Sequence, residues 1–155
     1  MIVRLPRVRT LRRAESGQAL IEAAILSLLL LSLLIGGIDF GRFAYDGILL
    51  GNGARAGVQY GAQNLATAND DAGMQTAATT DAQSLSGASA VASQFCTCVP
   101  GGGHVTCGTS TTCPATNPLV YVSVTTSGTF QPWVRFPGIP ANLAIARTAV
   151  MQVSP

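Results

Sequence analysis

Four cysteines, Cys96, Cys98, Cys107 and Cys113, fall inside one window of 18 residues, with the only histidine, His104, between them. Thiols and an imidazole this close together offer either a metal site or disulfide bonds. Structural zinc sites separate paired cysteines by about two to four residues, and Cys96-x-Cys98 is too tight to fill two corners of one tetrahedron. An even number of cysteines on the translocated side of an apolar segment reads as two disulfides. Cys96 and Cys98 are expected to pair outward, with Cys107 and Cys113 in either order, and spacing leaves the connectivity open. No metal is expected.

The rest of the reactive inventory is thin. Asp39, Asp46, Asp70, Asp71 and Asp81 stand where helices use carboxylates for pairing or capping. No Ser/His/Asp set, nucleophile elbow or phosphate loop is present, and Gly101-Gly102-Gly103 has no following Lys-Ser/Thr. His104, in that glycine-rich loop, reads as a solvated side chain. These features argue against an enzyme, a cofactor or a small-molecule substrate.

One carboxylate differs from the others. Glu22 lies at the edge of the apolar run Ala23–Ile38, which holds seven leucines and three isoleucines in 16 residues. Counted from Ala19, the run reaches the roughly 20 residues that cross a bilayer as a helix. A carboxylate there costs about 3 kcal/mol on insertion scales, so it is kept for a reason. Gly17, five positions before it, completes the outline of a prepilin-type leader.

Net charge is only +2, but five of the nine basic residues, Arg4, Arg7, Arg9, Arg12 and Arg13, precede Glu15. Arginines abutting an apolar helix follow the positive-inside rule. The expected topology is a single pass in the inner (cytoplasmic) membrane, with the N-terminus cytoplasmic and the C-terminal domain extracytoplasmic. The cluster is short and has no interleaved aromatics, which argues against nucleic acid. A secretory signal peptide would be shorter in its apolar part and would end on small residues, unlike Ile35-Gly36-Gly37-Ile38.

Four segments follow: a basic leader 1–17, a transmembrane helix 18–38, an extracytoplasmic helical extension 39–66 and a disulfide-containing head 67–155. In the extension, Asp39, Arg42 and Asp46 are spaced to pair along one helical face. Phe40, Phe43 and Tyr45 suit either an aromatic belt or core packing. Gly37-x-x-x-Gly41 and Gly53-x-x-x-Gly57-x-x-x-Gly61 form stripes that let another helix approach, from a partner or from the same chain.

A break is expected at Thr67–Asp71, with Asn69 capping a second helix whose apolar face runs Met74, Ala78, Ala82, Leu85, Ala88, Ala92, Phe95. Cys96–Pro118 reads as a loop. Beyond it Val120, Val122 and Val124 alternate with polar residues as a strand, and Ser127-Gly128 signals a turn. Thr129–Phe136 is its expected partner, weakened by Pro132. Leu143–Val153 reads as a last strand whose apolar face Arg147 interrupts, with a helix also allowed by the periodicity. Trp133 with Arg135, Phe130 and Phe136 marks either sheet packing or a docking patch. The fold class is α+β and pilin-like, with a long N-terminal helix, a second helix and a three-stranded antiparallel sheet.

Three stretches resemble the TadE-like family, pseudopilin-type components of tight-adherence (Tad/Flp) pilus systems. They are Gly17-Gln18-Ala19-Leu20-Ile21-Glu22-Ala23 with Ile38-Asp39-Phe40-Gly41-Arg42, then Asn52–Ala62, and finally Leu119–Val124 with Phe130-Gln131-Pro132 and Thr148–Val153. The resemblance implies a leader cut by a prepilin peptidase between Gly17 and Gln18. Glu22 then becomes the fifth residue and pairs with the terminal amine of a neighbouring subunit. The sequence departs from Flp-type sites at Ala23, where an aromatic is usual.

The leading expectation is a non-enzymatic, membrane-anchored minor pseudopilin that takes part in pilus or secretion-machine assembly. Its partners would be the membrane, the peptidase and other Tad-type proteins. The alternative is a membrane-anchored binding module that recognises a surface without joining a filament.

Overall fold

The computed structural model describes residues 11–105, 107, 113, 118–135, 138 and 140–154, with the backbone alone for 11–16. Its elements are α1 (Leu11–Gly61), α2 (Leu65–Ala68), α3 (Asp71–Asp81), β1 (Ser89–Thr97), β2 (His104–Val105), β3 (Leu119–Phe130) and β4 (Leu143–Gln152). The chain divides into two compact units, Met1–Phe40 and Gly41–Pro155.

In the first unit the described side chains of α1 are those of residues 17–40. Its large apolar residues other than the half-buried Ile35 are exposed, Leu20 at 72% and Leu28 at 69%. Ser27 and Ser32 donate their hydroxyls to the carbonyls of Ala24 and Leu29, at 2.8 and 2.7 Å. A serine bonded within its own helix leaves no polar group that needs water.

The second unit is built on an antiparallel sheet in the order β2-β1-β3-β4. Alternate residues of β3 point inward: Val122, Val124, Thr126 and Phe130 are buried. They meet two buried clusters. One joins Val58 and Ala62 of α1 and Met74 and Ala78 of α3 to Val122, Val124 and Ala92. The other joins Leu50 to Phe130 and Ile145, with Phe43, Leu85 and Leu143 against it. Thr126, buried among these apolar groups, donates to the Leu50 carbonyl at 2.7 Å. The buried hydroxyl is therefore satisfied.

Three sequence expectations change here. The apolar face from Met74 to Phe95 is not one helix. α3 stops at Asp81, its C-cap Ala82 bonds back to Ala78, and Gly87 turns the chain at φ +78°. Left-handed backbone of this kind favours glycine. Beyond it Ala90, Ala92, Gln94 and Cys96 alternate inward as β1, because the small residues fit a period of two as well as one of three to four.

Helix capping also differs. Asn64 caps α2, accepting from the backbone N–H groups of Ala66 and Thr67, with the Thr67 hydroxyl accepting the Asn64 N–H in return. Asn69 closes α2, and Asp70 is the N-cap of α3.

The sheet has four strands, not three. Ser127-Gly128 is no turn, since β3 runs through it in unbroken register with β4 from Tyr121↔Gln152 to Phe130↔Leu143. A Cβ on Gly128 would lie 2.8 Å from a Leu85 methyl, so a larger residue there requires that side chain to move. Residues 131–135 of the expected Thr129–Phe136 partner are not strand, and Phe136 lies outside the described residues. The expected last strand forms as β4. Arg147 interrupts its apolar face by extending over Gly47, its Nη2 lying 3.0 Å from where a Cβ would sit.

Candidate functional site

The leader-side residues lie on α1. Gly17, Gln18 and Glu22 are exposed within one unbroken helix, and Glu22 is the only ionisable residue between Gly17 and Ile38. The arginines up to Arg9 are outside the described residues, as are the side chains of Arg12 and Arg13. Nothing within 4 Å would meet a Cβ at Gly17, Gly37 or Gly41. α1 is long and apolar enough to cross a membrane.

The glycine stripes divide into two kinds. Gly53, Gly57 and Gly61 face the same chain. A Cβ on Gly53 would meet the Ala78 carbonyl oxygen at 2.6 Å and the Ala82 Cβ at 3.1 Å. One on Gly57 would meet the Met74 oxygen at 2.9 Å and a Val124 methyl at 3.0 Å, and one on Gly61 would meet the Met74 side chain. Met74, Ala78 and Ala82 are themselves spaced by four. Two complementary stripes of mostly small residues therefore let α3 and β3 press against the α1 backbone. Gly37 and Gly41 keep open space around them.

The α1–α3 junction is held by a second set that spacing did not single out. Asp70 accepts the Gly73 N–H on Oδ1 at 2.9 Å and the Tyr60 hydroxyl on Oδ2 at 2.8 Å. The carboxylate is held below its usual range, by the Gly73 bond first and the Tyr60 bond next. The Tyr60 phenol is pushed up, first by its bond to Asp70 and then by the negative charge it would face on ionising. The available signal was Asp70 three residues before Gly73, a capping distance.

Arg42 has its guanidinium carbon 4.3 Å from the Trp133 ring centroid and 5.3 Å from that of Phe130. Phe130 in turn meets Phe43 edge-on at 5.6 Å. Of the aromatic trio, only Phe43 packs against the core. Phe43 is core, whereas Phe40 and Tyr45 are 71% and 58% exposed.

The cysteines form two disulfides, Cys96–Cys107 and Cys98–Cys113, with Cα atoms 5.2 and 5.3 Å apart. Cys96 and Cys98 both pair outward, and the two loops interleave, an order that spacing left open. No thiol remains free. His104 stacks on Phe95 at 4.2 Å, and Phe95 on Tyr121 at 5.4 Å, a row across β2, β1 and β3. A cleft of about 660 Å³ beside α2 is lined by residues such as Leu65, Gln94, Leu119 and Val153. Among the described residues no free acid or base lines it.

Comparison with known proteins gives one result. No curated protein and no solved structure matches the chain. A family model, TadE-like protein, matches residues 17–59, opening at Gly17 and running through the apolar helix to just short of Tyr60. Over that span the chain is similar to the TadE-like family, the one its sequence resembles.

Proposed function

We propose that this chain is a non-enzymatic, membrane-anchored minor pseudopilin of a Tad/Flp-type pilus or a related secretion machine. In this reading α1 crosses the inner membrane once, from a basic cytoplasmic leader to an extracytoplasmic, disulfide-closed head. A prepilin peptidase cuts between Gly17 and Gln18, and Glu22 receives the new terminal amine of a neighbouring subunit. A carboxylate and an ammonium in lipid are each costly alone and tolerable as a pair.

The observation that carries the reading is the coincidence of two limits. The TadE-like match begins at Gly17, and the apolar run of the sequence opens two residues later at Ala19, with Leu20 its first large side chain. Open space at Gly37 and Gly41 supports close approach of a second helix there.

Mass spectrometry of the membrane-extracted protein, made with and without a prepilin peptidase, tests the proposal. The expected mature N-terminus is Gln18 with the peptidase and Met1 without it. An unprocessed chain in both preparations overturns the pilin-type processing. Recovery in the soluble fraction overturns the anchoring. Gly17→Leu is expected to abolish cutting, and Glu22→Ala to leave cutting intact while reducing co-purification with other Tad-type components.

A further inference from the structure

We infer that the free edge of β4 takes an added β-strand from a partner protein, an extended segment that sets a carboxylate beside Arg147. Every residue involved belongs to the Gly41–Pro155 unit, so neither the processing nor the anchoring proposed above is required.

The edge is open, and its free groups can be named. β4 is the last strand of the sheet and pairs with β3 alone. Val153, next in that register after Gln152, donates its N–H to the Val120 carbonyl at 2.9 Å. Bonded and non-bonded pairs alternate along an antiparallel ladder. Leu143, Ile145, Arg147, Ala149 and Met151 therefore bond to β3. Ala144, Ala146, Thr148, Val150 and Gln152 turn their N–H and carbonyl groups outward, and all five residues are exposed. In keeping with this, the Ala146 carbonyl accepts from the Arg147 guanidinium, at 3.0 Å.

Proteins blunt sheet edges with short strands, prolines, bulges or charges that face inward. β4 runs for 10 residues without proline and without a break in its register with β3. Its one charge is Arg147, which shares the helix-facing side of the sheet with Ile145 yet remains exposed. The guanidinium extends over Gly47, and among the described residues it meets no carboxylate. Met151, on the same side, is also exposed.

A cation so placed rejects a wholly apolar strand, because pairing would bury the charge unanswered. A strand that brings an acid to that point answers it, since opposite charges directly across a strand pair attract. Main-chain bonds supply affinity and the Arg147 contact supplies selectivity. No strand of this chain could be the donor. Its acidic residues all lie at or before Asp81, and β1, β2, β3 and β4 contain none. The carboxylate must come from a different protein, not from a strand of a second copy.

The full chain in detergent would be titrated with a synthetic peptide of alternating threonine and valine, its central valine replaced by glutamate. Amide hydrogen exchange, followed by NMR, is the readout. Exchange is expected to slow about tenfold at Ala144, Thr148, Val150 and Gln152, with Ile145 and Ala149 unchanged. The same peptide with lysine at its centre should bind about tenfold more weakly. One N-methylated on alternate amides should not bind. Arg147→Glu should reverse the preference between the two charged peptides. Val150→Pro removes an outward N–H and spares the bonds to β3, so it should abolish binding with little change in Tm.

Binding that leaves the outward amides unchanged overturns the inference, as does a glutamate preference that Arg147→Glu fails to reverse. Absence of binding by every peptide overturns it too. Outward amides protected in the free chain, and more so at higher protein concentration, overturn it in favour of a second copy at the edge.

Discussion

The Tyr60 hydroxyl, near the end of α1, donates to Oδ2 of Asp70, the N-cap of α3, across 2.8 Å. The bond fastens the two helices where the chain reverses between them. It also fixes the sign of a pH dependence.

Asp70 has a lowered folded pKa, so its contribution is complete above the unfolded value of about 3.9 and is lost as pH falls through the lowered one. Tyr60 has a raised folded pKa, so its contribution is complete below about 10 and is lost as pH rises through the raised one. Thermal melts across pH are expected to show a plateau between two falling limbs. Tyr60→Phe should flatten the alkaline limb and weaken the acid one. Asp70→Asn, which keeps a good cap, should flatten the acid limb and, by removing the charge that raises the Tyr60 phenol, weaken the alkaline one. Unchanged limbs in both variants would remove the pair from the account.

The helical glycines are expected to respond in opposite directions. Alanine at Gly57 pushes a methyl against Met74, Val124 and Ala78. Overpacking of this kind costs about 1–3 kcal/mol, against at most ~1 kcal/mol gained from helix propensity. The Tm in detergent should therefore fall. Alanine at Gly41 meets nothing within 4 Å, so the Tm should hold or rise. If Gly37 and Gly41 serve contacts between chains, leucine there should reduce association while the melt is unchanged.

Thr126→Val keeps the shape of a buried side chain and deletes its bond to the Leu50 carbonyl. The expected loss is about 1 kcal/mol, read from denaturant unfolding. Thr126→Ala should lose more, because it also leaves space between β3 and α1.

The two disulfides close loops of 11 and 15 residues by sequence separation. Loop entropy assigns each about 3 kcal/mol, with only a few tenths between them. Each bridge joins one buried cysteine to one half-buried one, Cys96 to Cys107 and Cys113 to Cys98, so burial does not separate them. The Cys96→Ala/Cys107→Ala and Cys98→Ala/Cys113→Ala pairs are expected to cost similar amounts in denaturant melts, and a loss confined to one pair would contradict the loop-entropy account.

Much of the fold is legible along the chain, because some signals depend on one segment only. The leucine run of α1 and the strict alternation of Val120, Val122 and Val124 need no distant partner to be read. The cysteine cluster announces two bonds for the same reason. Small residues carry no such signal. Ala82, Ala88 and Ala92 fit a helix face and a strand face equally well, and only the turn at Gly87 divides them.

The sequence by itself determined that one apolar helix leads into a small α+β unit with two outward-paired disulfides and little reactive chemistry. Local periodicity and composition carry that much. Tertiary structure decided which glycines face the chain's own helix, which residue caps α3, which cysteine meets which and where Arg42 and Trp133 stand. Each of these depends on contacts between residues far apart in sequence. Along the chain a glycine looks the same beside open space as beside Ala78.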